Sequence, residues 1–334
     1  MIKDIRDYRL LAHNTFGIDA MCSRFLEYET VEDAQQVACV LNDSSQPFII
    51  IGGGSNLLLT KDFDGIVVHS ALKGYEVEGC HLCCGSGEIW DDMVVVALEA
   101  ELYGAENLSL IPGEVGASAV QNIGAYGVEV KDYIVSVEAV EIDTGRLCVF
   151  SNAECCYGYR QSRFKQDWKN RYLVTHVTYA FSYVFSPRLD YGNIRSELEH
   201  RGINHPTALQ LRQVIIDLRN AKLPDPKEMG NAGSFFMNPV VCREKYEELS
   251  AQYPDMPHYT IDDNHEKIPA GWMIDQCGWK GRSLGRAGVH DRQALVLVNR
   301  GGATGSEIVT LCHAIQEDVR QKYGIDICPE VNII

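Results

Sequence analysis

The sequence predicts an α+β fold, with mixed sheets and segregated helices, spread over two or three domains. Three observations carry that reading. An amphipathic helix pattern runs straight into a buried apolar strand near the N-terminus, strand patterns crowd the region 133–183, and long helical stripes begin near 207 and 306. The length of 334 residues leaves room for two or three domains of ordinary size.

The elements follow in order. Thr30 is a predicted N-cap with Asp33 three residues on, and Ala34, Val37, Ala38 and Leu41 share one face. Phe48–Ile51 reads as a buried strand ended by Gly52-Gly53-Gly54-Ser55-Asn56, and Leu57-Leu58-Leu59 as the start of another. Ile66-Val67-Val68 is a further short strand, and Trp90 to Tyr103 reads as a helix closed by Gly104. Strands are predicted over 133–137, 146–150 and 172–179. A helix starting at Thr207 buries Leu211, Val214, Ile215 and Leu218, and Pro224 and Pro226 stop it. Ser306 is the predicted cap of a last helix, with Ile308, Leu311, Cys312, Ile315 and Val319 inward and Gly324 at its end. A terminal strand covers 329–334.

Composition narrows the function classes. The formal net charge is −16, which makes nucleic acid and anionic membrane surfaces poor partners. The first residues lack the apolar core of a secretory signal, and no apolar run approaches the ~18 residues of a membrane span. A cytoplasmic protein is the expectation. Twelve cysteines are expected to be free and buried, because Cys80-x-x-Cys83 has no second pair at zinc-ribbon spacing. No metal site is expected.

The glycine run is the first candidate site. Consecutive glycines let a ligand approach the main chain, and freed amides form a nest for phosphate oxygens. The spacing excludes a P-loop, since no Lys-Ser or Lys-Thr follows, and the sixth position of a dinucleotide fingerprint is Leu57. Two readings fit the run alone: a phosphate-binding turn, or a plain tight turn between two core strands. A second glycine-rich stretch, Ile111 to Gly127, carries polar Ser118, Gln121 and Asn122. Two such loops suit a large ligand with a pyrophosphate better than a mononucleotide. Gly281-Arg282-Ser283-Leu284-Gly285 has nucleophile-elbow spacing but lacks the strand before and the helix after.

Five motifs in order now carry a resemblance. They are the strand–GGGSN turn, IPGxVGAxxxQNIGAYG, Tyr157-Gly158-Tyr159-Arg160-Gln161-Ser162, Leu223-Pro224-Asp225-Pro226 with Gly230-Asn231-Ala232-Gly233-Ser234-Phe235-Phe236, and Pro329-Glu330-Val331. Together, from about Asn14 to the last residue, the chain resembles the UDP-N-acetylenolpyruvoylglucosamine reductases, in their longer, type I form. The resemblance implies an FAD-binding fold of the vanillyl-alcohol-oxidase type. It implies FAD-binding subdomains at 1–71 and at 72–223 with 325–334, and a substrate domain at 224–324. It also implies bound FAD, NADPH as transient hydride donor, and reduction of UDP-N-acetylglucosamine enolpyruvate to UDP-N-acetylmuramate, with a monomer expected.

Residue by residue, the resemblance implies that Gly52, Gly53, Gly54, Ser55, Asn56, Ile111, Pro112, Gly113, Gly116, Ser118, Gln121, Asn122 and Gly124 hold FAD. Arg160 matches the residue that steadies the substrate carboxylate, Ser234 the proton donor, and Glu330 the third catalytic residue. A guanidinium fork suits a carboxylate, whereas a serine hydroxyl is an unusual acid that needs a strongly basic carbanion and a dry site. Tyr126, Tyr159, Tyr191, Lys222, Asn238, Tyr259 and Gln293 match substrate-side positions. Met237 and Asn332 depart from the family, standing where lysine and arginine are common.

Overall fold

The computed structural model describes residues 1–334, which fall into two compact units. One unit comprises Met1–Tyr8, Cys22–Gly53 and Phe63–Ala221, and the other Arg9–Met21, Gly54–Asp62 and Lys222–Ile334.

The first unit holds two large sheets and the short pair Gly124–Ala125 with Val128–Glu129. One runs Lys3–Arg9, Met21–Tyr28, Phe63–Ser70, Phe48–Ile51, with the last two strands parallel and Phe48, Ile49 and Ile50 opposite Ile66, Val67 and Val68. Met21–Tyr28 is also parallel to Phe63–Ser70. That central strand is covered on both faces, which is why its middle, Ile66-Val67-Val68, is an apolar run rather than an alternation. Thr30 caps helix Val31–Asn42, its side chain accepting from the Asp33 amide. The helix buries Ala34, Val37, Ala38 and Leu41 against Leu26, Ile66 and Val68 of one sheet and Val140 and Leu173 of the other. The Tyr28 hydroxyl adds a direct bond, donating to the Val174 carbonyl at 2.7 Å.

The second sheet is antiparallel, in the order Leu147–Ser151, Ile134–Glu141, Tyr172–Ala180, His81–Gly85, Tyr75–Glu78. Trp90 and Val94 of helix Trp90–Glu99 and Val115 and Ala119 of helix Val115–Gln121 share its core with Val137, Val177 and Tyr179. Helix Ala208–Lys222 packs Leu211, Val214 and Ile215 on Ile194 and Leu198.

The second unit is built on the sheet Asn231–Ser234, Val296–Asn299, Ala287–Val289, Ser283–Leu284, against which helix Gly305–Tyr323 packs. A smaller sheet orders Val240–Cys242, His265–Lys267 and Tyr259–Asp262, and Leu57–Leu58 pairs in parallel with Asn332–Ile333.

Several expectations need correction. Helix Trp90–Glu99 stops a turn before Gly104: Glu101 takes a left-handed φ of 57°, and the amides of Glu101 and Leu102 close on the Leu98 and Ala97 carbonyls at 3.1 and 2.8 Å. That is a Schellman stop made without glycine. The last helix is capped by Thr304, not Ser306. Thr304 and Glu307 form a reciprocal capping box, while the Ser306 hydroxyl donates to the Thr60 carbonyl. All twelve cysteines are free, but Cys39, Cys156, Cys242 and Cys328 are exposed. Ser283 lies in a hairpin strand opposite Gly288, which is no nucleophile elbow.

Candidate active site

In the first unit, the strand Phe48–Ile51 delivers Gly52 and Gly53 onto the second glycine-rich stretch. A Cβ on Gly52 would stand 3.0 Å from the Ala117 Cβ and 3.3 Å from Glu114 Oε2, a tight fit that favours glycine there. Gly53 differs. Its Cβ would meet Gly113 Cα and Glu114 Oε1 at an ordinary 3.6 Å, and its φ is not left-handed. Packing does not require glycine at 53. The room above its backbone is what a ligand approaching the main chain would use, and main-chain amides in such a turn suit phosphate oxygens.

The second stretch is pinned from behind. Gly116 donates to the Ser86 carbonyl at 2.8 Å, and a Cβ on it would strike the Ser86 Cβ at 2.9 Å. The Gly113 carbonyl accepts from the Trp90 amide at 3.0 Å, which orients the segment Ile111-Pro112-Gly113. The Ser118 hydroxyl is turned into the core, 2.9 Å from the Tyr179 hydroxyl. Gln121 Oε1 accepts from Lys165 Nζ at 2.6 Å. Asn122 is fully buried with φ 48°, and its Nδ2 donates to the Gly158 carbonyl at 2.7 Å.

That last bond anchors the loop carrying Arg160. Gly158 and Gln161 exchange backbone hydrogen bonds at 2.9 and 3.0 Å, which leaves Tyr159 and Arg160 at the corners of a tight turn. Arg160 has φ 55°, a strained value that costs an L-residue about 1–2 kcal/mol. Its guanidinium is braced by the Gly124 carbonyl at 2.6 Å and lies over the Tyr159 ring. A Cβ on Gly124 would come within 2.9 Å of that guanidinium. Tyr126 meets Tyr191 edge to face at 6.4 Å. Arg160, Tyr159, Gly124, Tyr126 and Tyr191 therefore cluster in one unit.

Arg219, on the inward continuation of the Leu211, Ile215 stripe, was not singled out by the sequence reading. Its Nε is buried without a hydrogen-bond partner, and Asp91 is already held by both terminal nitrogens of Arg212 at 2.7 and 2.9 Å. Burial pushes its pKa down, with Tyr126 and Asp91 opposing and Arg160 adding repulsion. A charged residue at i+4 on an apolar stripe was the available signal.

The second unit assembles the other candidates. Gly54 has φ 69°, and a Cβ on it would collide with the His13 carbonyl oxygen at 2.0 Å. The Ser55-Asn56 segment leads into Leu57–Leu58, and Asn56 Nδ2 donates to the Glu330 carbonyl at 3.3 Å. The Glu330 amide donates to the Phe235 carbonyl at 2.8 Å, one residue from Ser234. Ser234 is exposed at a strand end opposite Val296, between Gly233, with φ 68°, and the buried Phe235 and Phe236. The structure thus brings Asn56, Ser234 and Glu330 together from three distant parts of the chain.

Substrate-side positions spread along the same unit. Asn238 Oδ1 accepts from the Ala270 amide at 2.9 Å, and Gln293 Oε1 from the Leu295 amide at 3.3 Å, one residue from the partner strand of Ser234. Tyr259 is half-exposed opposite Lys267, whose ammonium lies over its ring. Lys222 is exposed at a helix end. Asn332 spends its side chain on the Asn56 carbonyl at 3.1 Å.

Two family models match the chain: an FAD binding domain over residues 23–151, and the C-terminal domain of UDP-N-acetylenolpyruvoylglucosamine reductase over residues 225–334. The chain is 54% identical over 333 residues to the UDP-N-acetylenolpyruvoylglucosamine reductase of Bacteroides fragilis strain YCH46, covering 98% of this chain and 99% of that protein. It is 47% identical to the protein of the same name from Burkholderia ambifaria, over 97% of this chain and 95% of that one. Its fold is similar to the crystal structure of the Thermus caldophilus reductase, with a TM-score of 0.69 at 21% identity, covering 100% of this chain and 98% of that chain.

Proposed function

The chain belongs to the UDP-N-acetylenolpyruvoylglucosamine reductase family, and we propose that Arg160, Ser234 and Glu330 carry out its chemistry. It is a flavin-dependent oxidoreductase that uses FAD and reduces an enolpyruvyl UDP-sugar in peptidoglycan precursor synthesis. FAD, when bound, supplies hydride drawn from NADPH; the protein's residues orient and polarise the substrate.

Hydride arriving at C3 of the enolpyruvyl ether drives charge toward C2 and its carboxylate. The Arg160 guanidinium meets that carboxylate and stabilises the charge as it develops. Strain at φ 55° and bracing by Gly124 support this role, because a pre-set cation costs no reorganisation during reaction. The Ser234 hydroxyl then gives its proton to C2. Glu330 orients the hydroxyl network around it. The Gly52 to Asn56 turn and the 111–124 stretch hold the FAD diphosphate, and Tyr126, Tyr159, Tyr191, Lys222, Asn238, Tyr259 and Gln293 contact the UDP-sugar.

The observation that carries this reading is the hydrogen bond from the Glu330 amide to the Phe235 carbonyl. It fixes the two unit-two candidates on neighbouring backbone although they lie far apart in the sequence. The enzyme is proposed to work as a cytoplasmic monomer, where NADPH and UDP-sugars are made.

Anaerobic half-reactions test the assignment. In Arg160→Ala and Glu330→Gln, NADPH should still bleach the flavin, while reoxidation of the reduced flavin by the enolpyruvyl UDP-sugar slows at least ~100-fold. Normal reoxidation in either variant would remove that residue from the mechanism.

A further inference from the structure

A buried histidine bridges two carboxylates beneath the glycine turn. His69, on strand Phe63–Ser70, has Nδ1 2.8 Å from Glu27 Oε2 and Nε2 3.0 Å from Glu114 Oε1. His69 and Glu114 are each only 8% exposed. Glu27 also accepts from Lys3 Nζ at 3.1 Å, so charges alternate along Lys3, Glu27, His69 and Glu114. The Phe25 ring stacks on the imidazole at 6.2 Å, and the buried Tyr28 phenol is the other titratable group that feels Glu114.

Glu114 is the floor of the turn. Its two carboxylate oxygens lie 3.3 and 3.6 Å from where Cβ atoms on Gly52 and Gly53 would stand. A carboxylate there opposes any phosphate above it, and a buried unpaired charge is costly in itself. Both imidazole nitrogens face carboxylate oxygens, and only the imidazolium donates from both. Burial lowers the His69 pKa, but hydrogen bonds and charge from Glu114 and Glu27 outweigh it and leave the pKa raised.

We propose that His69 is a positioning residue for the cofactor, holding Glu114 as a neutralised pair beneath Gly52 and Gly53 so that the FAD diphosphate can settle on the turn. This rests on the reading that the diphosphate lies over that turn. The imidazolium makes Glu114 tolerable; without the proton, the same carboxylate repels the ligand.

The test measures FAD release from full-length holoenzyme by the fluorescence of free FAD over a dilution series. Wild-type affinity should fall at least about tenfold between about pH 6 and about pH 9, as His69 loses its proton. His69→Gln should weaken binding about tenfold or more near pH 6 and flatten the profile. Adding Glu114→Gln to that variant should restore affinity to within about threefold, because it removes the stranded charge. A merely structural role predicts no such rescue. A flat wild-type profile, His69→Gln binding within about threefold of wild type, or a double variant as weak as the single one would each overturn the proposal. Should His69→Gln fail to fold, the wild-type profile decides alone. Gly53→Asp separates the two levels, since a new carboxylate should weaken FAD whatever His69 does. If Gly53→Asp binds FAD normally, the placement of the diphosphate is wrong. If it binds poorly while His69→Gln binds well, only the role of His69 is lost.

Discussion

Asn56 Nδ2 donates to the carbonyl oxygen of Glu330 at 3.3 Å, across 274 residues of sequence. Asn332 returns the contact, its amide and its Nδ2 both 3.1 Å from the Asn56 carbonyl. The asparagine that ends the glycine turn therefore sets the backbone of a candidate catalytic glutamate. The segment predicted to touch the cofactor and the segment predicted to act on substrate are one hydrogen-bonded unit.

Replacing Asn56 with Ala should cost about 1 kcal/mol of stability, the net value of one such bond. The larger effect should be on kcat, through a misplaced Glu330, with flavin reduction by NADPH less affected. Urea unfolding and the two half-reactions, measured separately, check both parts.

The His69 network gives the protein a pH-dependent stability term. The folded pKa lies above the ordinary value of 6.5, so the term is fully present below 6.5 and is lost as pH rises through the folded pKa. Wild type should therefore lose stability relative to His69→Gln on going from mildly acidic to alkaline pH. Urea midpoints of both proteins across that range measure the difference. A constant gap would mean that His69 does not titrate with folding.

The last helix offers a clean contrast. Thr304→Ala should destabilise by about 0.5–2 kcal/mol, since it removes the capping box. Ser306→Ala should change stability by less than about 0.5 kcal/mol, since Ser306 only reaches an exposed carbonyl bond. Paired denaturation midpoints decide which residue caps.

Much of this architecture was legible in the sequence. Thr30 with Asp33 and the Leu211, Val214, Ile215 stripe were legible because a local pattern and the tertiary environment agreed, whereas Phe48–Ile51 is the expected strand but half-buried at its sheet's edge rather than buried. The Trp90 helix was misjudged because Glu101, not a glycine, takes the left-handed stop. The cap was misplaced by two residues because two hydroxyl residues compete and only Thr304 has Glu307 three positions on. The site splits in the same way. Glycine turns announce themselves by residue type, whereas Tyr159 and Arg160 were marked only by the family resemblance, since nothing in an arginine foretells a left-handed φ. The His69–Glu114 pair joins residues 45 apart in sequence, so no local pattern encodes it. Arg219 was missed because it is one of two arginines on its helix, and only its place four residues after Ile215 on the buried stripe sets it apart from Arg212.

Anaerobic flavin reoxidation in Ser234→Ala tests the central claim most directly. NADPH should reduce the flavin of this variant at close to the wild-type rate. The enolpyruvyl UDP-sugar should then reoxidise it at least ~1,000-fold more slowly, because the carbanion at C2 has lost its proton donor. Reoxidation at the wild-type rate would contradict the account, since the proton would have to come from a group other than Ser234.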